Sequence, residues 1–162
     1  LDVGGGIVAI QHELFKAGIS EAIQVEASQA YIQLAEEEAA NQGHQEQLTS
    51  YFGDFVELSP DLPKADIVTL DRVLCCYPDM EKLVNTTTSM TNEVCALVYP
   101  RERWFTKLGV DIANFYCRVK KKNFRMYLYQ RKQVDKQFRE NGFALKSASQ
   151  TFLWHVDLYA PA

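Results

Sequence analysis

The sequence predicts an α/β fold: a doubly wound sheet, mostly parallel, with an antiparallel strand at its C-terminal edge. Three observations carry this expectation. From Leu1 to Tyr99, short apolar runs alternate with helically spaced segments, the pattern of right-handed crossovers and a parallel sheet. Three consecutive glycines, Gly4 to Gly6, separate the first apolar run from the first helix. At the C-terminus, two extended segments follow each other with nothing helical between them, so they are expected to pair antiparallel.

The elements follow in order. Leu1 to Val3 is the end of a strand, and Ile10, Leu14 and Ala17 mark a helix stopped by Gly18. AIQVEAS, with Ile23 and Val25 on one face, is the second strand. Ser28 can cap a helix running through Tyr31, Leu34 and Ala35 to Gly43. LTSYF (48–52) is the third strand; after Pro60 and Pro63, ADIVTL (65–70) is a buried fourth. Met80, Leu83, Val84 and Thr87 mark a helix, and VCALVY (94–99) is the fifth strand. Trp104, Leu108, Ile112, Phe115 and Val119 form one helical stripe, expected to be a core face first and an aromatic wall for the substrate second. FRMYLY (124–129) is a short extended piece. Val134, Phe138 and the Gly142 stop mark the last helix, before FALKSASQ and FLWHVDLYA turn on each other near Thr151.

Length and composition narrow the class. The chain has 162 residues, 47% apolar and 23% charged, with no repeat or linker, so residues 1–162 are expected to form one domain. It has no initiator methionine and starts inside a strand, so it reads as lacking a natural N-terminal segment. No apolar run approaches the roughly 20 residues of a membrane span, and Leu1 to Ile10 lacks the basic start and cleavage site of a signal peptide. The net charge of -4 argues against a general nucleic-acid binder, and Lys120 to Lys122 reads as a solvated turn. Cys75, Cys76, Cys95 and Cys117 show no C-x-x-C spacing, which argues against zinc. Cys75, Cys76 and Cys95 lie in apolar runs and read as small hydrophobes, as in a reduced, cytoplasmic protein.

The glycines stand where an open parallel sheet binds its ligand, in the loop after the first strand. Gly4, Gly6 and Ala9 satisfy the dinucleotide pattern G-x-G-x-x-G/A, so an NAD site is admissible. Other residues discriminate. Asp2 precedes the glycines, where a dinucleotide fingerprint has no use for a carboxylate but a bound ammonium group would. Glu26 ends the second strand, where a carboxylate can accept both ribose hydroxyls of a bound cofactor. Asp54, in YFGDF, can accept from an adenine amino group.

Asp2-x-Gly4-x-Gly6, Glu26, Gly53-Asp54 and the terminal strand pair together resemble the class I S-adenosylmethionine-dependent methyltransferases, whose sheet is Rossmann-like. A narrower similarity, to the magnesium-protoporphyrin O-methyltransferase branch and its small-molecule relatives, rests on LDRVLCCYPDM and FRMYLYQRKQVDKQFRENGF. The resemblance implies that Asp2 and the Gly4, Gly5 and Gly6 loop hold the methionine end of the cofactor. It likewise implies Glu26, with Ala27 beside it, at the ribose, and Asp54 with Phe55 at the adenine. One position departs from the family: Val8 stands where a third glycine is usual, and its Cβ is expected to displace the loop or weaken cofactor binding.

Methyl transfer from a sulfonium is an in-line displacement, so alignment and desolvation carry most of the catalysis. A base is needed only for a protonated acceptor. Asp71 and Arg72 follow the fourth strand; Asp71 is a candidate cofactor contact and Arg72 a substrate contact at the rim, against a plain ion pair at a strand end. Tyr77, set before Pro78 in an extended turn, is implied by the resemblance to face the methyl-transfer region, where it would orient or deprotonate an acceptor hydroxyl. In PRERW (100–104), Arg101 is a candidate anion clamp and Trp104 a candidate substrate wall, against a local salt bridge of both arginines to Glu102. His12 and His44 are expected to be exposed, and His155 to be a satisfied sheet histidine.

The function expected is transfer of the methyl group of S-adenosylmethionine to a small-molecule oxygen, nitrogen or carbon, with S-adenosylhomocysteine as product. No metal, nucleic acid or membrane partner is expected. The alternatives are a non-catalytic methyltransferase-like interaction domain and an NAD-binding oxidoreductase.

Overall fold

The computed structural model describes residues 1–122 and 124–162. Among these residues, seven strands form one sheet: β1 (Asp2–Val3), β2 (Ala22–Glu26), β3 (Leu48–Phe52), β4 (Ala65–Asp71), β5 (Thr91–Pro100), β6 (Phe143–Gln150) and β7 (Trp154–Pro161). Their order is β3-β2-β1-β4-β5-β7-β6. β7 runs antiparallel to both β5 and β6, and the pairings among β1 to β5 are parallel. The expected fold class is therefore the observed one, down to the single reversed strand.

The helices are α1 (Ala9–Lys16), α2 (Gln29–Asn41), α3 (Phe55–Leu58), α4 (Met80–Met90), α5 (Trp104–Val119) and α6 (Arg131–Glu140). α4 and α6 cover one face of the sheet. There Leu83, Val84, Val134 and Phe138 meet Leu70, Leu97 and Tyr159, all buried. Phe138 stacks on Tyr159 with ring centroids 4.0 Å apart. β1 is two residues long, but it lies between β2 and β4, with Asp2 opposite both Gln24 and Thr69. From β1 the chain winds outward through β2 and β3, then crosses back to β4. That reversal of direction opens a crevice at the carboxyl ends of these strands.

Two helices turn faces that differ from those expected. α1 buries Gln11, His12 and Phe15, with Val8 ahead of them, instead of the Ile10 and Leu14 face. These positions share one helical face, at spacings of three and four residues. His12 is therefore buried, against the expectation of exposure, and stacks with His44, which also meets Phe15 at 4.4 Å. In α5 the stripe expected to face the core faces solvent: Trp104 is 78% exposed, and Leu108, Ile112, Phe115 and Val119 are all exposed. α5 is anchored from its other side, by buried Val110 and by Asn114, whose amide brackets both the N–H and the C=O of Met126 at 2.8 Å. The FRMYLY segment, from Phe124 onward, pairs with no strand of the sheet; it runs past the turn after β4, where Tyr127 N–H donates to the Cys75 carbonyl at 2.7 Å.

Candidate active site

The crevice is a cleft of about 510 Å³, within the range of small-molecule sites. Its floor is the loop after β1. Gly4 and Gly6 adopt φ of 62° and 57°, in the left-handed region open to glycine. The absence of side chains here serves close packing. A Cβ on Gly4 would come within 2.7 Å of Val73 Cγ2, and one on Gly5 would overlap the Asp2 carboxylate. Gly4 N–H donates to the Val25 carbonyl, and the buried Gln24 amide donates to the Gly6 carbonyl at 2.8 Å, so the loop is tied to β2.

Glu26 is 8% exposed and sits at the edge of this loop. Its carboxylate accepts from Ser28 N–H at 2.9 Å and from Gly6 N–H at 3.3 Å, one on each oxygen. A carboxylate has about four acceptor positions, so a group fixed by two amides keeps capacity for two further donors from the cleft. Across the cleft, Asp54 caps α3 through Val56 N–H at 2.7 Å and accepts the Tyr77 hydroxyl at 3.2 Å. Burial, and then the Asp54 charge, push the Tyr77 phenol up to about 12. Such a phenol stays protonated at neutral pH, with its one proton directed at Asp54. Tyr129 holds the backbone beneath it, donating its hydroxyl to the Tyr77 and Pro78 carbonyls at 2.8 and 2.9 Å.

Gly4, Glu26, Ala27, Asp54, Phe55, Arg72 and Tyr77 all line this one cleft, though they come from four separate stretches of chain. The other candidates lie elsewhere. Asp2 is 2% exposed and turned beneath the loop, against Gly5 and the Thr69 hydroxyl that donates to it. Burial lifts its carboxyl to about 6. Gly5 and Gly6 form the loop behind the lining. Asp71 pairs with Arg72 at 2.9 Å, so the ion pair at the strand end is present while Arg72 also reaches the cleft. Arg101 donates to the Thr151 carbonyl at 2.7 Å and so braces the β6–β7 turn. Trp104 projects into solvent.

The salt bridge of Glu102 to its flanking arginines is not formed. Glu102 accepts instead from His155 Nε2 at 3.0 Å and from the Arg131 backbone, while Arg101 is engaged with Thr151 and Arg103 lies over the Phe105 and Phe152 rings. His155 is thus a sheet histidine, as expected, but satisfied on one side alone: Nε2 meets Glu102, while the buried Nδ1 has no partner among the described residues. Val8 is fully buried and outside the cleft lining, with φ 56° and ψ 31° at the N-cap of α1. Sequence reasoning missed Tyr31, Cys76 and Phe124, which also line the cleft. Of these, only Cys76 carried a usable signal, its place in the turn directly before Tyr77.

A family model described as a methyltransferase domain matches residues 1–93. The chain belongs to this methyltransferase family. The magnesium protoporphyrin IX methyltransferase of Synechocystis PCC 6803, solved with bound S-adenosylhomocysteine, superposes with a TM-score of 0.79 at 17% identity, over 99% of this chain and 73% of that one. An O-methyltransferase family protein from Burkholderia thailandensis gives a TM-score of 0.81 at 9% identity, over 99% of this chain and 50% of that one. The geranyl diphosphate C-methyltransferase of Streptomyces coelicolor A3(2) gives 0.75 at 9% identity, over 99% and 71%. At these identities the likeness is one of fold. No curated protein sequence matches the chain. The class expected from the motifs, an S-adenosylmethionine-dependent methyltransferase, is the class that family and fold define; the dinucleotide alternative gives way to it. Among the described residues, no helix is long and apolar enough to cross a membrane.

Proposed function

We propose that the cleft binds S-adenosylmethionine and that the chain aligns a small-molecule acceptor for in-line methyl transfer at the carboxyl end of the sheet. The observation that carries this reading is Glu26: a buried carboxylate, fixed by two backbone amides, with acceptor capacity left over at the floor of the cleft. The residues suit the cofactor. Glu26 and Ala27 hold the ribose; Asp54 and Phe55 hold the adenine, Asp54 by its carboxylate and Phe55 by its ring. Gly4, Gly5 and Gly6 let the backbone approach the methionine end, and Asp2 acts through Gly5, whose backbone packs on its carboxylate. Asp71 acts through Arg72, whose guanidinium it orients at the rim.

Bound S-adenosylmethionine supplies a methyl group activated on a sulfonium. The protein's part is to exclude water and position the acceptor. Tyr77, whose one O–H is held by Asp54, orients an acceptor by accepting a hydrogen bond on its phenol oxygen; with its pKa raised it stays protonated at neutral pH and is not available as a base. Arg101 and Trp104 belong to the acceptor side, at the end of β5, where Arg101 steadies the hairpin turn. Residues 1–162 act as one cofactor-binding unit, and a cytoplasmic location fits four free thiols.

The test is calorimetric titration with S-adenosylhomocysteine, with NAD as control. Binding is expected to S-adenosylhomocysteine alone, weakened about a hundredfold by Glu26→Ala, the loss of two charge-assisted hydrogen bonds. A folded chain that binds neither ligand is the non-catalytic interaction domain.

A further inference from the structure

The turn after β4 carries two adjacent thiols that the proposed chemistry does not use. Residues Leu74–Cys76 form a single 3₁₀ turn, closed by Cys76 N–H on the Val73 carbonyl at 2.8 Å. Cys75 points into the protein and is 3% exposed. Cys76, against the expectation of a small core hydrophobe, is exposed and lines the cleft. Their sulfurs are 3.8 Å apart and both face the Arg72 carbonyl. The next residue is Tyr77, whose hydroxyl closes on Asp54 across the cleft.

An accessible thiol beside a second, shielded thiol is the arrangement of a redox-responsive pair. The contact between the two thiols holds Cys76 below the ordinary thiol range and, with burial, pushes Cys75 above it, so Cys76 is the one with the larger reactive thiolate fraction. Adjacent Cα atoms lie about 3.8 Å apart across a trans peptide, closer than the roughly 4.4–6.8 Å of relaxed disulfides. A bond formed here is strained and readily reduced, as suits a reversible switch and not a structural link.

We propose that Cys75 and Cys76 are a peroxide-sensitive dithiol at the edge of the cofactor cleft, and that closing them into a vicinal disulfide lowers cofactor affinity. The inference rests on the cleft being the S-adenosylmethionine site. In the first step Cys76 sulfur attacks hydrogen peroxide: an S–O bond forms, the O–O bond breaks, and the leaving hydroxide takes the thiol proton as water. In the second, Cys75 sulfur attacks the sulfenic sulfur: the S–S bond forms, the S–O bond breaks, and the second oxygen leaves as water with the Cys75 proton. Both sulfurs are oxidised by one equivalent of peroxide, whose oxygens are reduced. Closure withdraws the Cys76 side chain from the cleft wall and pulls the backbone that sets Tyr77 against Asp54.

The experiment treats the folded chain with hydrogen peroxide, then measures the peptide containing Cys75 and Cys76 by mass spectrometry and titrates the protein with S-adenosylhomocysteine. The peptide is expected to become lighter by two hydrogens ahead of any change at Cys95 or Cys117. Affinity is expected to fall about tenfold, the loss of one hydrogen-bonded contact in the cleft, and to recover on reduction with dithiothreitol. Cys76→Ser should lose both the mass change and any difference between its treated and untreated affinities. Cys75→Ser should retain a sulfenic acid on Cys76 that dimedone traps. Oxidation of Cys117 first, or a disulfide that leaves affinity unchanged, would overturn the proposal. Failure of the untreated chain to bind S-adenosylhomocysteine counts against the cofactor reading instead, and is visible before any oxidant is added.

Discussion

Val8 adopts a left-handed conformation that costs an L-residue about 1–2 kcal/mol, and a β-branched one is seldom found there. Full burial of its side chain offsets this, at about 1.5–3 kcal/mol. Val8→Gly removes both terms and adds the backbone entropy of glycine, so a net destabilisation of about 1 kcal/mol is expected in thermal unfolding. S-adenosylhomocysteine affinity should not change, because Val8 lies outside the cleft lining; a large gain in affinity would show that the valine crowds the loop after all. Asp2 carries a pH dependence. Its carboxyl is raised from 3.8 to about 6 by burial, so between those values the folded chain binds more protons than the unfolded one. Stability therefore falls as pH rises through that window, and the cost is fully present at neutral pH. Asp2→Asn, which still accepts from Thr69, should gain stability over the parent at pH 7.5 by on the order of 2 kcal/mol more than at pH 4. Equal differences at the two values would mean that Asp2 titrates normally. Glu26 and Asp54 were legible in the sequence because they end strands, and strand ends in a parallel sheet converge. The direction of Asp2 was not legible, since it depends on which surface Gly5 leaves open above it.

At the scale of elements, α1 and α5 show what periodicity can and cannot tell. In α1 the inward face contains Gln11 and His12, so a hydrophobic count picks the wrong stripe. In α5 the apolar stripe is real, yet Asn114 and Val110 anchor the opposite side, leaving the stripe outward. A buried Leu108 or Ile112 would cost about 2–5 kcal/mol on truncation to alanine. Exposed as they are, Leu108→Gln and Ile112→Gln should each shift unfolding by no more than about 0.5 kcal/mol. A loss several times larger would show that this face is covered in solution. Elsewhere the apolar pattern and the observed elements agree closely, as with α4, where Met80, Leu83, Val84 and Thr87 are all buried.

For the whole molecule, one polar network ties the far half of the sheet together. Asp157, fully buried on β7, accepts the Tyr99 hydroxyl of β5 at 2.7 Å and a forked pair from Arg131, the first residue of α6, at 2.9 and 3.0 Å. Arg131 keeps about a third of its side chain in solvent (35%), which softens the penalty of losing its partner. Asp157→Ala is expected to cost about 3 kcal/mol, since it strands a buried hydroxyl and half-frees the guanidinium. A loss below about 1 kcal/mol would mean that packing alone holds α6 to the sheet. Residues 99, 131 and 157 gave no sign of one another in the sequence. What the sequence determined by itself is the alternation of strands and helices, the reversed terminal strand, the glycine loop and the carboxylates at the strand ends. These follow from local periodicity and from the rule that parallel strands present their ends on one side. Tertiary structure decided which helix faces turn inward, which carboxylates reach the cleft, and which polar groups pair at long range. Those outcomes depend on surfaces contributed by distant segments, and burial acts only after those segments meet.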